Sequence, residues 1–448
     1  MNGSNPISRR AALRLGAAAG ALPWVHIRTA GAAGKLTVGF WDHWVPDGNK
    51  VMQRQVDAWA AKNKVDVTVD FVTSNGNKML MTGVAESQAK TGHDIFTFYN
   101  WEVFNRRDSL APVDDVMQRL IAANGKVDPT AEYLARPKQH WLAVPSSSGS
   151  QTKPPCARIA WMKAHGFDPL ATYPVKPEHT ALQDQWTYDA LLRLAEAANK
   201  DNLTFAMGCG GSNNTDASDQ IGAAFHAFGA HFVDREGKLL LDTPEMTNCL
   251  EYWQKFAKFM PAEAQSYDDA SNNRALISGK TALIFNPPSA WAVAKRDAPQ
   301  VAADCWTFSA PVGPKGRFVP SAFFFWGIWS FSKNQSAAQD LLAHLMSREQ
   351  VEARENVVEG FDLPPFAGLL DFKVWETVSP PPGTVYNYPI RPWHNAQSSL
   401  AASEAAPEVA VQIYQNAVHN GIVARLRNGQ SIKEVLAWTR NQIEGFLT

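Results

Sequence analysis

From Lys35 to Phe98 the apolar positions switch repeatedly between two rhythms. Lys35 to Phe40 is a short apolar run that predicts a strand. Val51 to Lys62 sets Val51, Met52, Val56 and Trp59 close to helical spacing. Val65 to Val72 alternates Val65, Val67, Val69 and Phe71 with polar residues, the signature of a half-buried strand. Met79 to Lys90 again predicts a helix, and Asp94 to Phe98 a strand. Strand, helix, strand, helix, strand in this order implies right-handed crossovers and a largely parallel sheet. Ligands of such sheets bind beyond the carboxyl ends of the strands. The residues there are Trp41-Asp42-His43-Trp44, Thr73-Ser74-Asn75 and Tyr99-Asn100-Trp101, loops that are polar and aromatic together.

Further on, helices are expected over Ile159 to His165, Tyr188 to Lys200 and Ala337 to Met346, and Ala270 to Ser278 leads into the next strand. Strands are expected over Thr281 to Phe285 and Phe323 to Phe331, and Val409 to Leu447 is mostly helical by pattern. Ser146-Ser147-Ser148-Gly149-Ser150 is a polar run that suits a loop or a crossing between lobes. Pro380-Pro381-Pro382-Gly383 marks a loop. The longest apolar run, Ala322 to Trp329, has the length of a buried strand and is too short to span a membrane.

The segment 1–34 is expected to be an export signal rather than part of the fold. Ser8-Arg9-Arg10-Ala11-Ala12-Leu13 is followed by an apolar, Ala- and Gly-rich stretch from Leu15 to Ile27, then by Ala30-Gly31-Ala32 as a small-residue cleavage region. The paired arginines with Leu13 resemble a twin-arginine signal, although Ala12 stands where that signal prefers Phe, which leaves the general secretory route open. A cleavable signal implies a periplasmic protein beginning near Ala33 or Lys35.

Composition narrows the function classes. A chain of 448 residues is long enough for two lobes, and a formal net charge of −1 offers no basic field for nucleic acid. The four cysteines are widely spaced with no CxxC, which favours isolated buried thiols over a zinc or redox motif. Gly279-Lys280-Thr281 resembles the end of a phosphate loop, but Arg274 occupies the position of its first glycine. HExxH, GxSxG and GxGxxG are all missing from the sequence. His226 and His231 are five apart, a poor spacing for one helix face, so no metal site is expected. Asp114-Asp115 and Asp268-Asp269 suit solvated or helix-capping roles. The aromatic-polar loops carry the stronger signal. A sugar presents hydroxyls around an apolar ring face, and its site needs carboxylates or amides beside flat rings. Asp42 between Trp41 and Trp44 has that chemistry, as do Asn100 with Trp101. The Pro-stiffened run Tyr386 to His394 has it too, through Tyr386, Tyr388, Arg391 and Trp393.

Particular segments resemble the extracellular solute-binding proteins of carbohydrate importers, the maltose-binding-protein-like family. These are Leu36 to Trp44; Asp94-Ile95-Phe96 through Leu110-Ala111-Pro112-Val113-Asp114-Asp115; Ser278-Gly279-Lys280-Thr281-Ala282-Leu283 with Asn286-Pro287-Pro288-Ser289-Ala290-Trp291; and Pro311 to Gly316 with Phe325-Trp326-Gly327-Ile328 and the helix after Asn334. Three features depart from the family pattern. Tyr-Gly is missing before Pro145, Ser146 to Arg158 is longer and more polar, and Pro288-Ser289 replaces a stacking aromatic.

The resemblance implies an α/β, two-lobe periplasmic binding protein fold with a central cleft and a hinge. Residues 35–144 and 318–362 would form the N-terminal lobe, and 145–317 and 363–448 the C-terminal lobe, with crossings near Pro145, Arg317 and Leu363. It also implies a monomeric, non-enzymatic component of an ABC importer that passes a sugar or oligosaccharide to the permease, with no cofactor. The expected ligand contacts are Trp41, Asp42, His43, Trp44, Ser74, Asn75, Tyr99, Asn100, Trp101, Asn286, Trp291, Trp326, Tyr386, Tyr388, Arg391 and Trp393. Another polar solute (a sugar alcohol, a glycerol-phosphate compound or a polyamine), a secreted glycoside hydrolase and a chemoreceptor ligand-presenter are the competing readings. Replacing Arg9 and Arg10 together with Lys should block or slow export through the twin-arginine route. Unchanged export that stops only when the secretory route is inhibited would reject that route.

Overall fold

The computed structural model describes residues 34–172, 180–212, 214–285, 289–377 and 396–448. The export segment (apart from Gly34), Pro380 to Gly383, and the candidate contacts Asn286, Tyr386, Tyr388, Arg391 and Trp393 lie outside the described residues. The first elements form as the pattern predicts: β1 (Lys35–Trp41), β2 (Asp66–Val72) and β3 (Ile95–Tyr99), joined by the helices Pro46–Asn63 and Lys78–Ala89. β1 pairs in parallel with β2, from Lys35 opposite Asp66 to Trp41 opposite Val72, and in parallel with β3 at Val38 and Gly39. Val51, Met52, Val56 and Trp59 are the buried stripe of the first helix. Pro46 opens that helix, where its missing N–H would have had no intrahelical partner.

The later strands are β4 (Ala143–Thr152), β5 (Pro155–Arg158), β6 (Thr204–Ala206), β7 (Thr281–Phe285), β8 (Cys305–Thr307), β9 (Val312–Gly313), β10 (Gly316–Ile328) and β11 (Ala396–Ser399). The larger sheet has the order β11-β10-β3-β1-β2, with β4 and β9 also paired to β10. The smaller sheet has the order β6-β7-β5-β8. β10 runs antiparallel to both β3 and β4. The chain therefore leaves the larger sheet at the end of β4, enters the smaller one at Pro155, and returns through β10. Among the described residues no helix is long and apolar enough to cross a membrane.

The serine run is not a loop. It forms half of β4, and every residue of that strand is buried. Small hydroxyl side chains tolerate this burial where they find partners nearby, as Ser146, Ser147 and Ser150 do. Ser150 Oγ donates to the Ser146 carbonyl at 2.6 Å and accepts from the Phe324 amide at 3.0 Å. Ser147 Oγ accepts from Arg354 Nη2 at 3.1 Å. The pairing shifts register between Ala322 and Phe324, opposite Gly149 at φ +92°. A Cβ there would lie 2.7 Å from the Phe324 ring, so only glycine fits without rearrangement.

Trp326, expected at the ligand, is 1% exposed and packs on Phe40 with ring centroids 5.1 Å apart, inside the core of the larger sheet. Trp291 is buried with Tyr267, Leu276 and Ile284 in a separate cluster beside the smaller sheet. Both are large rings within apolar runs, and apolar burial claims them. All four cysteines are free and buried. The C-terminal stretch resolves into helices Pro407–Gln415, Val418–Arg427 and Ile432–Leu447, the last opened by a capping box between Ser431 and Glu434. Gly149→Ala should destabilise the protein by about 1–3 kcal/mol, because it adds a side chain at positive φ. Chemical denaturation measures this, and an unchanged midpoint would mean that Phe324 moves aside freely.

Candidate functional site

A cavity of about 110 Å³ opens where residues at the carboxyl ends of β1, β2 and β3 meet residues that follow β6 and β7. That is well above the roughly 10–15 Å³ needed by one water. Trp41 ends β1, Ser74 follows β2, and Tyr99 ends β3. Gln151 and Lys153 come from the end of β4, Asp216 from the helix Thr215–Phe228, and Tyr414 and Gln415 from the helix Pro407–Gln415. Trp44 and Phe324 add further ring surface.

Lys153 organises the floor. It is 2% exposed, and its Nζ lies 2.7 Å from Asp216 Oδ1 and 2.7 Å from Asp219 Oδ2. Burial opposes its charge, but Asp216 and Asp219 outweigh burial and hold it protonated. The carboxylates sit on one face because they are three apart on the helix Thr215–Phe228. Asn214 fixes the start of that helix by accepting from the Ala217 amide at 3.1 Å. Tyr99 OH donates to Asp219 Oδ2 at 2.7 Å, and Tyr414 OH to Oδ1 at 2.9 Å. Burial and the Asp219 charge push both phenols well above their ordinary range, so they stay protonated donors. Asn272 Nδ2 donates to Asp216 Oδ2 at 3.1 Å.

Around this knot stand the groups that a solute would meet. Asp269 accepts from Thr215 Oγ1 at 2.8 Å and from the Asp216 amide at 3.1 Å. Burial and the neighbouring Asp216 push its pKa up to about 7. Burial also raises Glu102, which accepts from Gln415 Nε2 at 2.7 Å. Gln151 Oε1 is buried with no hydrogen-bond partner among the described residues. Such an atom in a cavity wall is a ready acceptor for a ligand hydroxyl.

Of the expected contacts, Trp41, Trp44, Ser74, Tyr99 and Trp101 line this cavity. Trp101 does so as a wall: it is 1% exposed, and its Nε1 donates to the Ala401 carbonyl at 3.2 Å. Asp42, His43, Asn75 and Asn100 do not line it. Asp42 is exposed and accepts from Asn49 Nδ2 at 2.7 Å. His43 is buried with its Nε2 3.2 Å from Asp362 Oδ1. Asn75 is exposed in a turn, and its neighbour Asn77 reaches the cavity instead. Asn100 is wholly buried and pairs like a strand residue, exchanging bonds at 2.9 Å with the Phe323 carbonyl and amide. Sequence reasoning missed Lys153, Asp216, Asp219, Asp269 and Tyr414. The helix Thr215–Phe228 is buried on almost every face and carries Asp216 and Asp219, and buried acids need partners.

The family described as bacterial extracellular solute-binding protein matches residues 45–352. A sequence comparison with curated proteins gives no match. Solved structures share the fold at low identity. The maltose-bound T. maritima MalE3 is 17% identical with a TM-score of 0.72, over 93% of this chain and 100% of that one. An ABC transporter solute-binding protein from Thermotoga lettingae, bound with alpha-D-tagatose, is 15% identical with a TM-score of 0.72, over 93% and 100%. A sugar transporter from Arthrobacter chlorophenolicus with bound laminaribiose is 15% identical with a TM-score of 0.70, over 92% and 99%. The two sheets and their helices thus form the two-lobe periplasmic binding protein fold.

Asp269 gives the cavity a pH signature. Its pKa rises from the 3.8 of an ordinary aspartate to about 7 in the folded chain. Between these values the folded state binds more protons than the unfolded one, so its contribution to stability falls as pH rises from about 4 to about 7. Asp269→Asn should remove that slope, giving a melting temperature that gains on wild type at pH 8 relative to pH 5. Parallel melting curves for the two proteins across this range would show that Asp269 does not titrate there.

Proposed function

The chain belongs to the bacterial extracellular solute-binding proteins, and we propose that it captures a neutral sugar or short oligosaccharide between its lobes and delivers it to the permease of an ABC importer. One observation carries this reading. The cavity sets the rings of Trp41, Trp44, Tyr99 and Phe324 beside the hydrogen-bonding groups Gln151, Asp216 and Asp269, while Lys153, the one cation among its described lining residues, is neutralised within the protein. Flat rings suit an apolar sugar face, and carboxylate and amide oxygens accept from hydroxyls. A phosphate or carboxylate ligand would find no unpaired cation there. The maltose, tagatose and laminaribiose named with the similar structures support the same class.

The surplus of carboxylates, with Glu102 beside Asp216 and Asp269, supports a second reading, a polyamine or other cationic solute. In either case the solute is released unchanged, the protein acts as a monomer, and a cleavable N-terminal signal exports it to the periplasm. The pairing of β4 with β10 as far as Thr152 supports a first crossing between lobes after that residue, later than Pro145. The lobes close around the solute by hinge motion.

A thermal-shift screen over neutral sugars, polyols, phosphorylated compounds and polyamines tests the reading, since a solute that binds only the native state raises its melting temperature. Neutral sugars should give the shift, and a shift with polyamines alone would move the assignment to a cation. With the hit in hand, Trp44→Ala and Asp216→Asn should each weaken binding about ten- to a hundredfold, the order expected for losing a ring wall or a charged hydrogen bond. Unchanged affinity in both would place the solute elsewhere.

A further inference from the structure

On one helix, His226 and His231 would point to different faces. The helix ends before that can happen. Thr215–Phe228 is closed by Gly229 in the left-handed conformation, at φ 74°, and the chain turns back. His231 comes beside His226 with ring centroids 5.7 Å apart. Glu404, from the segment after β11, reaches the same place. His226 Nε2 is 3.2 Å from Glu404 Oε2, and His231 Nδ1 is 3.9 Å from Oε1. Ligand atoms from all three residues lie within 4.8 Å of one another. We propose that His226, His231 and Glu404 form a binding site for a zinc-like, first-row divalent cation, apart from the solute cleft.

The donor set selects the class of ion. Two imidazoles and one carboxylate suit zinc and its neighbours, whereas calcium and magnesium take oxygen ligands. Zinc bonds of about 2.0–2.2 Å in a tetrahedron hold ligand atoms roughly 3.4 Å apart. The His226–Glu404 separation of 3.2 Å is already near that spacing, and with all three ligand atoms within 4.8 Å of one another a cation would draw His231 inward. His226 has the outer-shell partner that ligating histidines use: its Nδ1 lies 2.7 Å from Ser399 Oγ, which leaves Nε2 turned toward Glu404. His231 Nδ1 is buried and makes no hydrogen bond, since 3.9 Å is beyond reach of one. Its ring is 35% exposed, which provides an entry path and room for water as a fourth ligand. Burial works against the Glu404 charge, yet His226 and His231 hold the carboxyl far below its ordinary range. His419 packs its ring against Phe225 and Phe232 and is not one of the three grouped ligands.

The three residues belong to different parts of the cleft's surroundings. His226 is on the helix that carries Asp216 and Asp219. Glu404 lies between Ala401, whose carbonyl accepts from Trp101, and the helix that carries Tyr414. A cation there ties two walls of the cleft together from behind.

The test uses the untagged protein, stripped with a chelator and titrated with zinc chloride by calorimetry and by thermal melting. Wild type should bind one zinc per chain in the micromolar range or tighter, with a melting temperature that rises with zinc and not with magnesium. His231→Gln and Glu404→Gln should each weaken zinc binding by at least about tenfold, the scale seen for losing metal-site partners. His231 is partly exposed, so the zinc-free melting temperature of His231→Gln should match wild type, which separates lost ligation from lost folding. The absence of saturable zinc binding, an equal response to magnesium, or unchanged zinc affinity in both variants would overturn the site and leave a hydrogen-bonded His–Glu–His cluster.

Discussion

An ammonium group buried at the point where the chain leaves one sheet for the other sets the terms for the cleft. Lys153 sits directly after β4 and is 2% exposed, and water cannot solvate it there. Its charge survives only because Asp216 and Asp219 each lie 2.7 Å away. Removing one member of such a group leaves an uncompensated buried charge, which typically costs about 3–5 kcal/mol. The requirement propagates outward. Asp219 must also satisfy its own lone pairs, so it takes the hydroxyls of Tyr99 from β3 and Tyr414 from the C-terminal region. Both phenols are thereby fixed with their rings at the cavity. One buried charge thus aligns residues from the larger sheet, from the helix after β6 and from the chain's last third.

Much of this architecture was legible in the sequence, and the limits are physical. The alternation through β1, β2 and β3 and their connecting helices is local, and apolar periodicity reports it directly. β4 was hidden because Ser146 to Ser150 carry no apolar signal. Their burial depends on bonds to Phe324, Arg354 and one another that no local pattern encodes. The His226–His231 spacing says little about their proximity for a related reason. Five residues on one helix would separate the rings, but Gly229 ends the helix, and the spacing rule no longer applies.

The candidate site divides along the same line. Trp41, Trp44, Ser74, Tyr99 and Trp101 line the cavity because topology alone gathers the strand ends at one edge of the sheet. Asp42, His43 and Asn100 share those loops but point elsewhere, since the direction of a side chain at a strand end depends on its neighbours. Asn49 takes Asp42, Asp362 takes His43, and Phe323 takes Asn100. The carboxylates were missed because each has an ordinary local explanation. Asp216 reads as a first-turn acid and Asp269 as half of a solvated pair. Only the long-range contact with Lys153 gives them a common purpose.

A second buried knot explains how the first can stay in register. Asp362 accepts from His43 Nε2 at 3.2 Å and from the Gly149 amide at 2.9 Å, joining the loop after β1 to the middle of β4. Close to it, the buried guanidinium of Arg354 donates to Gln55 Oε1 at 2.7 Å and to Ser147 Oγ at 3.1 Å. These bonds tie the middle of β4, at Ser147 and Gly149, to the loop after β1 and to the helix Pro46–Asn63. β4 ends in Lys153, so its rigidity determines where the ammonium stands. Trp41 and His43 pack with tilted rings, 4.8 Å between centroids, so the same bonds also steady the Trp41 ring at the cavity wall. On the proposed function, hinge closure would bring two preformed walls together, and little of the binding energy would be lost in ordering them.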